Sequence, residues 1–168
     1  MEIGVRARFL ILLAGLALPA AAQEQVLRLP SGEELRYEFV QPGTPWSARD
    51  TAFAFLRYLA QGELEAAASL SNAPQQRLEV LRAYQRSVGE AEFKRLYGRY
   101  FASGNRLLAE AAIGNHRLLV WDLGEANNYL AGQFFVQADG RFLLNDVPSA
   151  ERQNLQRLLE AYRKKTAN

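Results

Sequence analysis

The hydrophobic repeat of this chain changes at Arg106, and that change constrains the fold more than any other feature. Upstream, apolar side chains recur at helical spacing. Phe53, Leu56 and Leu59 share a face flanked by Phe55 and Tyr58; Leu78, Leu81, Tyr84 and Val88 form a second set; Phe93, Leu96, Tyr97, Tyr100 and Phe101 form a third. Downstream they alternate: Leu107, Ala109, Ala111 and Ile113, then Leu119, Trp121 and Leu123 on one side of the next strand. A block of helices followed by a block of strands predicts an α+β fold with an antiparallel sheet.

Punctuation residues divide the blocks. Residues 26–40 alternate around Pro30-Ser31-Gly32, an N-terminal hairpin signal, and the breaker-rich link 41–45 ends it. Ser47 is placed as an N-cap, with Asp50 giving an acidic first turn. Gly62 closes that helix, 63–70 reads as a short alanine-rich second one, and Pro74 opens a third. Gly89 either separates the third helix from a fourth or kinks a single long one. Gly114-Asn115, residues 124–128 and Ala138-Asp139-Gly140 are turns between strands at 106–113, 117–123, 129–137 and 141–147. Pro148-Ser149 then caps a last helix. Leu155, Leu158, Leu159 and Tyr162 are its apolar stripe, and Arg163-Lys164-Lys165 sit where the helix dipole favours positive charge.

The N-terminus reads as an address. Arg6 and Arg8 precede an apolar run from Phe9 to Leu18, followed by Pro19 and Ala20-Ala21-Ala22, the order of a secretory signal peptide. The run is shorter than the roughly 20 residues of a membrane-spanning helix. Residues 1–22 are therefore expected to be removed, leaving a soluble periplasmic or secreted product of 23–168. Loss of Glu2, Arg6 and Arg8 brings the formal charge from +2 to near neutral, which argues against a nucleic-acid partner. The chain has no cysteine, so neither disulfides nor thiol chemistry are expected. The expected organisation is a signal peptide (1–22), an N-terminal hairpin and linker (23–46), and a single α+β domain (47–168).

The segments FAFLRYLAQGELEAAASL (53–70) and GQFFVQADGRFLLND (132–146) carry a resemblance to the nuclear-transport-factor-2-like (cystatin-like) α+β superfamily. The resemblance spans about 47–147 and implies helices packed on a curved antiparallel sheet with a pocket between them. The segment between Leu70 and Leu78 is too short for the strand pair of typical members, and the chain adds an N-terminal hairpin and a C-terminal helix. Either the hairpin substitutes for that pair or the fold is a cousin of the cone. Enzymes built on the cone use a carboxylate base with an oxyanion-stabilising tyrosine. Tyr58, Glu110 and Asp122 are the residues of that type here, although Asp122 shares the parity of Leu118 and Val120, opposite Trp121.

Other chemistry is sparse. The chain has no phosphate-cradling glycine motif and no nucleophile elbow. His116, the only histidine, falls at a hairpin turn and reads as a surface residue; without cysteines it cannot complete the usual zinc site, so neither metal nor cofactor is expected. Arg82/Arg86 and Arg95/Arg99 are i, i+4 pairs, a landing patch for acidic partners or, as favoured, a solvated helix face. Tyr97, Trp121 and Phe134 are the candidates for lining an apolar ligand pocket. The leading expectation is a non-enzymatic accessory module that binds a small ligand or an envelope protein. An isomerase- or dehydratase-type enzyme is the alternative, and a partner-docking C-terminal helix a third possibility.

Overall fold

The computed structural model describes residues 24–42, 44, 47–124 and 130–166. The expected signal peptide and Tyr129 lie outside these residues. In chain order the elements are β1 (Glu24–Arg28), β2 (Glu34–Phe39), α1 (Ala48–Gln61), α2 (Leu64–Ala68), α3 (Pro74–Val88) and α4 (Glu90–Gly98). A 3-10 turn (Arg99–Phe101) follows, then β3 (Arg106–Ile113), β4 (His116–Asp122), β5 (Leu130–Ala138), β6 (Arg141–Leu144) and α5 (Ala150–Thr166). The protein is α+β: every strand pairs antiparallel with its sequence neighbour in one six-stranded open sheet, ordered β1-β2-β3-β4-β5-β6.

Local chemistry sets the boundaries. The Ser47 side chain accepts a hydrogen bond from the Arg49 amide, and α1 ends at Gly62. Pro74 occupies the first turn of α3, where its missing N–H costs nothing. Ser149 Oγ accepts from the Arg152 amide and caps α5. Asp139 and Gly140 both adopt positive φ (49° and 75°), the geometry that a two-residue turn between right-twisted strands requires.

The hairpin joins the same sheet, but by a short seam. Only Glu38↔Ala112 and Phe39↔Ala111 pair across β2 and β3, supplemented by the Val40 amide donating to the Glu110 carbonyl at 2.8 Å. The short segment after Leu70, expected to lack the strand pair of typical cone members, makes one parallel bridge, Ser71↔Leu144. The Leu144 amide donates to the Leu70 carbonyl and the Asn72 amide to the Leu144 carbonyl, which ends α2 at Ala68 rather than at Leu70. β6 likewise stops at Leu144, short of Val147, because Asn145 and Asp146 turn to polar partners. Asp146 accepts from Ser71 Oγ at 2.5 Å and from both arms of Arg77, while Asn72 Nδ2 donates to Asn145 Oδ1.

Both faces of the sheet are buried. On one, Leu119, Trp121, Phe135, Phe142 and Leu144 pack under Phe55, Leu56 and Leu59 of α1 and Phe93 of α4. On the other, Ala111, Leu118 and Val120 pack against Leu155, Leu158 and Leu159 of α5. The C-terminal helix therefore docks on its own sheet. Gly132 permits the close approach: a Cβ there would stand 2.3 Å from Leu159 Cδ2. The expected single-faced alternation of β3 is corrected by a bulge between Leu107 and Ala109. Leu107 points to the α1–α4 side, Ala109 and Ile113 to the α5 side, and Leu108 is exposed.

Candidate functional site

The structure separates the three residues expected for carboxylate–tyrosine chemistry. Glu110 lies opposite Leu119 on the face toward α1 and is 1% exposed. Its Oε1 accepts a hydrogen bond from the Ala48 amide at 3.1 Å, in the first turn of α1, where the helix dipole is positive. Arg49 Nε stands 3.2 Å from Oε2, without the alignment of a hydrogen bond, and Arg117 Nε lies 3.9 Å from Oε1. Burial pushes the Arg117 guanidinium below its ordinary range, an effect opposed by Glu110 and Glu38. Glu110 is thus held as a cap for α1 and a counter-charge for two arginines.

Asp122 projects from the other face of the sheet. Its carboxylate accepts from Arg106 at 2.8 Å and from the Gly124 amide at 3.0 Å, and these bonds hold it below the usual carboxylate range. Tyr58 lies ten residues beyond Ala48, about 15 Å along the helix axis, packed at the edge of the α1–α4 core. The three groups do not converge on one point. His116 is half-buried rather than on the surface: its Nε2 lies 3.3 Å from Ser149 Oγ, and its Nδ1 is buried without a hydrogen-bond partner. Among the described residues, no group of three histidine or acidic side chains lies close enough to hold a metal ion, and no helix is long and apolar enough to cross a membrane.

The structure instead draws tyrosines together where α3, α4, the 3-10 turn and the end of β4 meet. A cleft of about 500 Å³ is lined there by Tyr84, Leu96, Tyr97, Arg99, Tyr100, Ala102, Asn105 and Leu123. Helical spacing sends Phe93, Leu96, Tyr97 and Tyr100 toward one side. Phe93 reaches the core, while the tyrosines, one turn on, form its outer edge. The Tyr97 and Tyr100 rings stack with centroids 6.4 Å apart, and Tyr84 meets Tyr97 edge-on at 6.5 Å. Burial, with smaller contributions from Tyr84 and Tyr100, pushes the Tyr97 phenol up to about 12; burial also raises Tyr100. The phenols are therefore neutral at ordinary pH and offer O–H donors.

Of the three expected pocket residues, Tyr97 lines the cleft. Trp121 is 2% exposed and lies behind it, edge-on to Tyr100 at 6.0 Å, with its indole N–H donating to Gln133 Oε1 at 2.9 Å. Phe134 belongs to the opposite face, under Arg152, whose guanidinium carbon is 5.2 Å from the ring centre. Adjacent strand residues point to opposite faces, so the Phe134-Phe135 dipeptide itself signals a sheet buried on both sides. Tyr84, Tyr100 and Asn105 complete the cleft. The signal for Tyr100 in the sequence is the aromatic spacing that continues across the end of α4.

The fold and the cleft define an α+β protein with a tyrosine-rimmed concavity beside an open antiparallel sheet. No protein-family model, curated protein or solved structure matches the chain.

Proposed function

We propose that this protein is a non-enzymatic binding module, exported by its N-terminal leader, that holds a small and largely apolar ligand in the tyrosine-rimmed cleft. The observation that carries this reading is the lining of a concavity of about 500 Å³ by tyrosine rings and leucine side chains, with neither a carboxylate nor a histidine among the described residues that line it. Ligand sites are commonly concavities of this size, apolar with a few convergent polar groups. The resemblance to the cystatin-like cone, whose members place a pocket between helices and sheet, supports the same place.

Trp121 gives the test a reporter. The chain has two tryptophans, and Trp46→Phe leaves Trp121, which touches Tyr100, as the sole indole. Titration with phenylbutanol is expected to shift Trp121 emission saturably and to move the amide resonances of Tyr97, Tyr100 and Asn105. Tyr97→Ala is expected to weaken that binding by about tenfold, the loss of one aromatic contact in a partly desolvated site. A linear response unaffected by Tyr97→Ala overturns the proposal.

A further inference from the structure

We propose that the natural ligand of this cleft is an organic monoanion, an apolar body ending in a carboxylate, and that Arg99 is the group that reads its charge. This inference rests on the binding reading above and adds the ligand's chemical class.

Charge accounting around the cleft points to it. Among the described residues that line the cleft, Arg99 is the one with an ionised side chain. Three other arginines are committed elsewhere: Arg82 to Glu65, Arg95 to both oxygens of Glu92, and Arg106 to Asp122. Among the described residues Arg99 has no ion-pair partner, and its side chain is exposed. Glu92, which feels the positive charge of Arg99, is held by Arg95 and is not among the described residues that line the cleft. An incoming carboxylate therefore meets a guanidinium with its fork of donors unspent.

The backbone under Arg99 is fixed as well. Its carbonyl accepts from the Ala102 amide at 2.9 Å and from Asn105 Nδ2, which anchors the 3-10 turn to the start of β3. Tyr97 and Tyr100 line the same cleft, and their neutral hydroxyls are donors of the kind a carboxylate oxygen accepts. Leu96 and Leu123 supply an apolar wall for the ligand's body.

The rival occupant is an organic cation, because tyrosine faces attract positive charge. A cage for a cation normally adds a carboxylate, and here the added charge is a guanidinium, which repels one. A polyanion fits less well, since a single guanidinium beside leucine side chains balances one charge.

Calorimetric titration of the full chain with phenylbutyrate, phenylbutanol and phenylbutylamine separates these cases. Phenylbutyrate is expected to bind about tenfold more tightly than phenylbutanol, the scale of one charge-assisted hydrogen-bonded pair, with phenylbutylamine weakest. Arg99→Gln is expected to abolish the preference, bringing the ratio of phenylbutyrate to phenylbutanol affinity to about one, with an unchanged thermal unfolding midpoint reporting an intact fold. Arg86→Gln, a removal of exposed positive charge from α3 that spares the cleft, is expected to preserve the preference. Equal affinity for acid and alcohol, a preference that survives Arg99→Gln, or tightest binding of the amine overturns this inference and leaves the binding module standing. Failure of all three probes to bind overturns both.

Discussion

Among the described residues, Glu110 is the charged side chain that solvent reaches least, and its partners come from three sources: the first amide of α1, Arg49 on the same helix, and Arg117 on β4. A buried carboxylate is stabilising only while its counter-charges stay, and removing it strands them in turn. Glu110→Ala is expected to cost about 3 kcal/mol in urea unfolding, at the lower end for a broken buried pair because both arginines are partly exposed. A cost below about 1 kcal/mol would show the contacts to be incidental. Tyr97 gives a second prediction. Its folded-state phenol is raised to about 12 against an ordinary value of 10, so the folded protein holds this proton more tightly than the unfolded chain. The stabilisation is complete below pH 10 and is lost as pH rises from 10 toward 12. Ultraviolet titration of tyrosinate is expected to show a late step that Tyr97→Phe removes, and thermal unfolding of that variant is expected to fall less steeply over the same window. Identical curves for the two proteins would disprove the assignment.

At the scale of the element, capping and packing make separable contributions. Ser149→Ala removes the N-cap of α5 and is expected to cost about 1 kcal/mol. Gly132→Ala drives a methyl group into Leu159 and is expected to cost about 2 kcal/mol by overpacking. Leu159→Val, which shortens the opposing side chain, is expected to recover part of that loss, so the double-mutant cycle measured by denaturant unfolding should be non-additive. Strict additivity would mean the two do not touch. These elements are also the part of the molecule most legible in the residues themselves. Ser47, Pro74, Gly89, Asp139-Gly140 and Ser149 mark boundaries because caps and turns are short-range chemistry, read within a few residues. The site is less legible for a physical reason. Glu110 meets Ala48 across 62 positions, which no local pattern records. The bulge at Leu108 moves Leu107 to the other face, and a sheet buried on both sides hides Trp121 in the core and sends Phe134 beneath α5. Tyr97 is legible because its helical periodicity continues to the edge of the core, where the cleft begins.

For the whole molecule, the arrangement is a sheet between two helical layers, unequal in size. Four helices cover one face and α5 alone covers the other. Deleting 150–166 is expected to expose Ala111, Leu118 and Val120, giving dye binding and a shift to larger species in light scattering; a monomer of unchanged stability would mean that α5 is dispensable. The β1–β2 hairpin, held to β3 by two residue pairs, is expected to lose amide protection before β3, β4 and β5 in hydrogen exchange. Coverage by α5 has a further consequence in time. Synthesis proceeds toward the C-terminus, so the central strands emerge before the seventeen residues that shield them. During that interval the nascent polypeptide carries a greasy, half-finished surface, and a chaperone that lingers on such surfaces until the last helix arrives would spare it from self-association.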